Sequence, residues 1–264
     1  MRKDFNILSI VLATTRMKSL FLALLTATLL MCRADAVELA PTKLRVLFIG
    51  NSLTSVNDLP GLIAGMAASS GRELTAVRNL VGGATLEKHW NDGKALARIK
   101  EGHLDYVVLQ DLSKQAYADR DSMFRHGRLF DAEIRKIGAQ TVLYMTWPLE
   151  DSLNNYGAIA EAYTALAKEL NATLAPVGVA WHAVAHEHDK PTFQLYRTDH
   201  KHPTPSGTYL AACVFYRVLF GAPSAGLPNH IELNGKVVVD LPRDEAAALQ
   251  RIADATPLSS GQGR

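Results

Sequence analysis

The sequence predicts an α/β fold built on a mostly parallel sheet with helices on both faces. Three observations carry this. Short, nearly continuous apolar runs (LRVLFI, DYVVLQ, QTVLYMT) alternate along the chain with longer amphipathic segments. Strands buried on both faces need such runs, whereas a half-exposed antiparallel strand would alternate apolar and polar residues. Glycines close several of the helical segments, at Gly71, Gly138 and Gly221, where a helix end favours a left-handed residue. Neither internal repeats nor low-complexity linkers interrupt the pattern.

In order, Leu44–Ile49 reads as a buried strand and Pro60–Ser70 as a helix. Leu74–Val81 is a weaker strand, followed by a single amphipathic helix over Leu86–Lys100. Asp105–Gln110 is a strand, Asp119–Ile137 a helix, Gln140–Thr146 a strand, Tyr156–Leu170 an Ala-rich helix, and Thr173–Val177 a short strand. Pro205–Phe220 is the last long helix. Beyond it, Asn234-Gly235 between apolar residues in Ile231–Val239 is a type I′ hairpin signal. Asp244–Ala255 reads as a terminal helix, and Ser259–Arg264 as a frayed end.

The chain carries 28 Lys+Arg and 26 Asp+Glu, a net charge of +2 over 264 residues. That excess has an address. Residues 1–36 hold Arg2, Lys3, Arg16, Lys18 and Arg33 against Asp4 and Asp35, leaving 23 basic and 24 acidic residues beyond them. The body therefore has no basic bias with which to hold a phosphate backbone, and a nucleic-acid partner is not expected. Residues 1–36 have the grammar of a signal peptide: Lys18, a short apolar run over 19–31, and Ala34-Asp35-Ala36 as a cleavage site. Met17 offers a second start. The alternative is an uncleaved N-terminal anchor. Cys32 lacks the small preceding residue of a lipoprotein signal. The expected organisation is a leader over 1–36, a catalytic domain over 37–228, and a hairpin-and-helix extension of it over 229–264. Such a product is secreted or periplasmic and has no membrane span after cleavage. Only Cys213 remains in the body, inside the apolar run LAACVFY; a buried structural thiol is expected there.

Two motifs could carry chemistry. The first strand runs into Gly50-Asn51-Ser52-Leu53-Thr54, and a serine just past a parallel strand sits where open α/β sheets place their ligands. Alone, this is also an ordinary turn. Some 150 residues later comes Asp199-His200-Lys201-His202-Pro203. The three-residue gap lets the carboxylate reach one ring nitrogen of His202, leaving the other to accept a serine proton. Together they make a candidate Ser…Asp…His triad.

GNSLT with DHKHP resembles the SGNH (GDSL-type) hydrolases, over about Leu44 to Phe220. The resemblance implies a three-layer flavodoxin-like sandwich with a five-stranded, mostly parallel sheet. By position it implies Ser52 as nucleophile, His202 as general base and Asp199 as its orienting partner. The oxyanion hole would draw on the Ser52 and Gly83 N–H groups, Gly83 lying in Val81-Gly82-Gly83-Ala84-Thr85. The family's third block reads G-x-N-D, its Asn side chain completing that hole. Here the corresponding stretch is Val108-Leu109-Gln110-Asp111-Leu112-Ser113, so Gln110 is expected to offer its amide from one methylene farther out. The topology agrees independently, since Ser52, Gly83, Gln110 and the Asp199/His202 pair all follow predicted strands.

Asn51, Trp90 and Trp147 are the expected substrate-binding residues, with Trp181 a further aromatic beside a sugar cleft; core packing is the plainer role for tryptophan. His182 and His186 have an i, i+4 spacing that can bind zinc, but HExxH and a third ligand are absent, so no metal is expected. The reading is an exported serine esterase needing no cofactor. Its expected substrate is a small-molecule or polysaccharide ester, first of all an O-acetylated carbohydrate. A general short-chain carboxylesterase, an O-acetyltransferase and a non-catalytic carbohydrate-binding module on the same fold are the alternatives. Oligomeric state is not legible.

Overall fold

The computed structural model describes residues 42–185 and 193–258. The leader over 1–36 with Cys32, the histidines His186 and His188, and the end over Ser259–Arg264 lie outside the described residues.

The strand-forming runs become β1 (Lys43–Gly50), β2 (Glu73–Leu80), β3 (Tyr106–Leu109), β4 (Gln140–Tyr144) and β5 (Thr173–Ala175). They form one five-stranded sheet in the order β2-β1-β3-β4-β5, and every pairing is parallel. The order places a topological switch between β1 and β3, where the chain first steps outward to β2 and then returns to the other side. Strand period 2 sends Leu44, Val46 and Phe48 to one face and Leu47 and Ile49 to the other, and both sets are buried.

The first face is covered by α2 (Leu59–Ser69), α8 (Val177–Ala185), α9 (Pro205–Phe220) and α10 (Arg243–Ala255). The second is covered by α3 (Leu86–Asp92), α4 (Lys94–Lys100), α6 (Arg120–Lys136) and α7 (Tyr156–Leu170). Two short helices, α1 (Ser52–Ser55) and α5 (Gln115–Ala118), follow β1 and β3. The result is the three-layer α/β/α arrangement expected from sequence.

The predicted single helix over Leu86–Lys100 is two. Gly93 adopts φ +72°, and its N–H bonds to the Trp90 carbonyl, which closes α3 before α4 begins. A left-handed glycine at a helix end outweighs a continuing apolar stripe. The tail forms the antiparallel pair β6 (His230–Leu233) and β7 (Lys236–Asp240). Its turn residues Asn234 and Gly235 have φ of 53° and 74°, as a type I′ turn requires. Ile231, Val239, Leu249 and Ala253 pack into the same core as α2 and α9. Among the described residues no helix is long and apolar enough to cross a membrane.

Candidate active site

At the end of β1, Asn51 caps α1: its Oδ1 accepts from the Leu53 N–H at 3.1 Å and its Nδ2 donates to the Ala84 carbonyl at 3.0 Å. The cap turns the chain sharply and leaves Ser52 as the first residue of α1. Its Oγ lies 2.9 Å from Nε2 of His202. On the other ring nitrogen, Nδ1 is 2.7 Å from Oδ2 of Asp199. The second carboxylate oxygen of Asp199 accepts from the backbone N–H groups of Lys201 (3.0 Å) and His202 (2.9 Å). His200, between them, takes φ 59°, the left-handed turn that lets the loop fold back on its own aspartate. Those hydrogen bonds to the ionised form, first from the His202 N–H and then from its ring, hold the Asp199 carboxyl far below the usual carboxylate range. The three residues predicted from two distant motifs therefore meet in one hydrogen-bonded chain.

Gly83 takes φ +67° in the loop after β2, and a side chain there would point into open space. With Leu53, Leu112, Ser113, Trp147 and Lys201 it lines a cleft of about 380 Å³. Trp147 stacks on Trp181 at 3.7 Å between ring centroids, and its indole N–H donates to the Lys201 carbonyl. The aromatic pair thus supports the floor of the cleft and fixes the loop that carries His202.

Three expectations are corrected. Gln110 is fully buried, and its carboxamide serves the turn around Ser52 instead of the cleft. Oε1 accepts from the Asn51 N–H and the Thr54 hydroxyl, both at 2.8 Å, while Nε2 donates to the Asp111 carbonyl. The backbone donor at Asn51 fixes which end is oxygen, so no flipped amide fits. Asn51 is also fully buried and spends its side chain on capping, so it shapes the turn and does not line the cleft. Trp90 packs edge-on against Phe130 of α6, centroids 5.2 Å apart, in the second helical layer. It is half-buried against this layer and is not among the residues that line the cleft.

Two residues escaped the sequence reading. His89 is completely buried, with Nε2 2.8 Å from the Gly50 carbonyl and Nδ1 2.9 Å from Nδ2 of Asn79. Nε2 donates to the carbonyl, Nδ1 accepts from the amide, and burial lowers the ring's proton affinity, so His89 is a neutral strut beneath the Ser52 turn. Asp111, also buried, accepts from the Leu86 and Leu112 N–H groups and ties the loop after β3 to the start of α3. Burial pushes its carboxyl up to about 7. His89 carries no motif, and the third block that contains Asp111 assigns it no role; the tertiary neighbourhood gives both of them one. Of the zinc-spaced pair, His182 stacks on the Tyr156 ring at 3.7 Å. Cys213 is fully buried in α9, and burial pushes its thiol far up.

Neither a protein-family model nor a curated protein matches the chain. Solved structures do. A Slackia heliotrinireducens protein assigned to the SGNH hydrolases aligns at 28% identity and a TM-score of 0.57, over 67% of this chain and 98% of that one. A DUF4886 family protein from Bacteroides uniformis aligns at 19% identity, TM-score 0.59, over 80% of this chain and 93% of its own. An acetylxylan esterase from Geobacillus stearothermophilus aligns at 16% identity, TM-score 0.55, over 69% and 96%. The last two, at such identity, speak for the fold alone. The chain has the SGNH hydrolase fold, and the resemblance carried by GNSLT and DHKHP holds.

Proposed function

We propose that this chain is an exported serine esterase that releases acetyl groups from O-acetylated carbohydrates through an acyl-enzyme. One observation carries the reading: the unbroken hydrogen-bonded chain Ser52 Oγ, His202, Asp199 at 2.9 and 2.7 Å. A serine hydroxyl is a poor nucleophile until a base takes its proton, and an imidazole is an effective base only when its tautomer is fixed. Here the Asp199 carboxylate holds the proton on Nδ1, so Nε2 accepts from Ser52.

Ser52 Oγ attacks the ester carbonyl as His202 takes its proton, and Asp199 stabilises the imidazolium that forms. The negative charge on the former carbonyl oxygen falls to the Ser52 and Gly83 N–H groups; a left-handed Gly83 leaves room for the approach. Loss of one such donor typically costs on the order of 10²–10³ in rate. His202 returns the proton to the leaving sugar oxygen, and water repeats the cycle on the acetyl-enzyme. No step calls for a metal or an organic cofactor.

The acetyl preference is supported by the modest cleft beside Ser52 and by the acetylxylan esterase among the fold's neighbours. The test is acetate release from acetylated xylo-oligosaccharides and from 4-nitrophenyl acetate and octanoate. The expected outcome is turnover of the acetyl compounds that disappears in Ser52→Ala. Preference for octanoate would overturn the acetyl assignment, and equal acetate release by Ser52→Ala would overturn the mechanism.

A further inference from the structure

The nucleophile and the base come from segments 150 residues apart, and the two side chains meet at Ser52 Oγ and His202 Nε2. Something must fix the distance between them. Five residues after Ser52 the chain reverses through Asn57 and Asp58, two consecutive left-handed residues with φ of 56° and 48°. Such residues are uncommon outside glycine, though Asn and Asp tolerate them best.

The reversal aims the Asn57 carboxamide at the loop that carries His202. Its Nδ2 donates to the Pro203 carbonyl at 3.0 Å and to Thr208 Oγ1 at 2.8 Å. Its Oδ1 accepts from Nη2 of Arg197 at 2.6 Å. Arg197 closes the ring, since its Nε donates to the same Pro203 carbonyl at 3.1 Å. Its backbone N–H also donates to the His202 carbonyl at 2.8 Å. Both ends of the Asn57 amide and both lone pairs of the Pro203 carbonyl are thus engaged. On the other side, Asp58 caps α2 through the Gly61 N–H and pairs with Arg78 at 2.9 Å, which pins the reversal to the body.

We infer that Asn57 and Arg197 are positioning residues that clamp the His202 loop to the Ser52 segment and set the Ser52–His202 distance. The inference rests on the triad reading above. The Asp199–His202 contacts are made wholly inside the loop, so the clamp governs Ser–His geometry and leaves Asp–His geometry alone.

Glycine separates the two roles of Asn57, because Asn57→Gly permits the left-handed backbone while removing the carboxamide. The measurements are kcat and KM on 4-nitrophenyl acetate, the pH–rate profile, thermal unfolding, and hydrogen exchange of the peptide covering 197–204. A displacement near 1 Å costs about 10²-fold in rate. Asn57→Gly is therefore expected to lower kcat about 10²-fold with KM within about twofold. The midpoint of the acid limb should stay unchanged, and exchange over 197–204 should be faster. Arg197→Gln should behave alike, and the double variant should be no worse than either single one. Asn57→Asp, which keeps the acceptor for Arg197 but cannot donate to Pro203, should fall between.

Wild-type kcat in Asn57→Gly would overturn the inference, since only the turn conformation would then matter. Fully additive losses in the double variant would also overturn it. Should the wild type hydrolyse no ester at all, the triad reading fails; faster exchange over 197–204 in Asn57→Gly would still support the clamp, and unchanged exchange would refute it.

Discussion

Replacing Gly50 with alanine tests the packing that holds the nucleophile turn. Gly50 ends β1, and a methyl built on it would lie 2.5 Å from Gln110 Oε1 and 2.9 Å from Thr54 Oγ1. Gln110 is fully buried. If the methyl is forced in, overpacking costs about 1–3 kcal/mol. If the carboxamide swings away, the Asn51 N–H and the Thr54 hydroxyl lose a shared buried acceptor, at about 1–3 kcal/mol each. The cheaper route sets the cost, a loss of about 1–3 kcal/mol, which for a domain of this size lowers Tm by about 5 °C. Because Asn51 directly precedes Ser52, a displacement near 1 Å should also reduce kcat by about 10²-fold. Thermal unfolding followed by circular dichroism and turnover of 4-nitrophenyl acetate measure both. Gln110→Ala removes the acceptor and the tightest of these contacts, leaving Thr54 Oγ1 at 2.9 Å and Cβ of residue 110 at 3.1 Å, so adding Gly50→Ala to it should cost less than in the wild type, a non-additivity of about 1 kcal/mol or more. A Gly50→Ala protein within about 1 °C and twofold of wild type, or strictly additive losses, would refute the reasoning.

Asp111 gives stability a pH dependence. Burial raises its carboxyl to about 7, whereas in the unfolded chain it titrates near 4. The folded state thus holds the proton more tightly, and the associated stability is complete below about pH 4 and lost as pH rises through about 7. Asp111→Asn keeps an oxygen for the Leu86 and Leu112 N–H groups and carries no charge. Urea unfolding of both proteins should show the variant gaining roughly 4 kcal/mol on wild type between pH 4 and pH 8; a constant difference would remove the buried acid from the account. Cys213, buried and far above the usual thiol range, should be silent to a disulfide reagent in the native protein and react at the rate of global unfolding. Rapid native labelling mapped to Cys213 would contradict its placement.

Much of the fold was legible because each element was locally consistent with its tertiary role. Tyr156–Leu170 and Pro205–Phe220 have in the structure the bounds their apolar spacing predicts, and Asn234-Gly235 makes the turn its two residues favour. The helix over Leu86–Lys100 was misread because a continuing apolar stripe hid what Gly93 does at a helix end. In the site, Ser52, Asp199 and His202 stood out because a nucleophile, a base and its orienting acid need fixed residue types. Gln110 and Asn51 read as outward residues, which burial denies them, and half-buried Trp90 is held against Phe130 instead. A polar or aromatic residue at a strand or helix end reads alike whether it faces the cleft or props the turn behind it. His89, Asn57 and Arg197 were invisible for a related reason. All three bond to backbone carbonyls, those of Gly50 and Pro203, which leave no mark on side-chain patterning.

The central claim, that Ser52 is a nucleophile activated by His202 and Asp199, meets its most direct test in covalent labelling. Folded wild-type protein, incubated with a fluorophosphonate and weighed intact, should gain one adduct mapped to Ser52, and Ser52→Ala should gain none. No adduct on wild type, or an equal adduct on Ser52→Ala, would contradict the account.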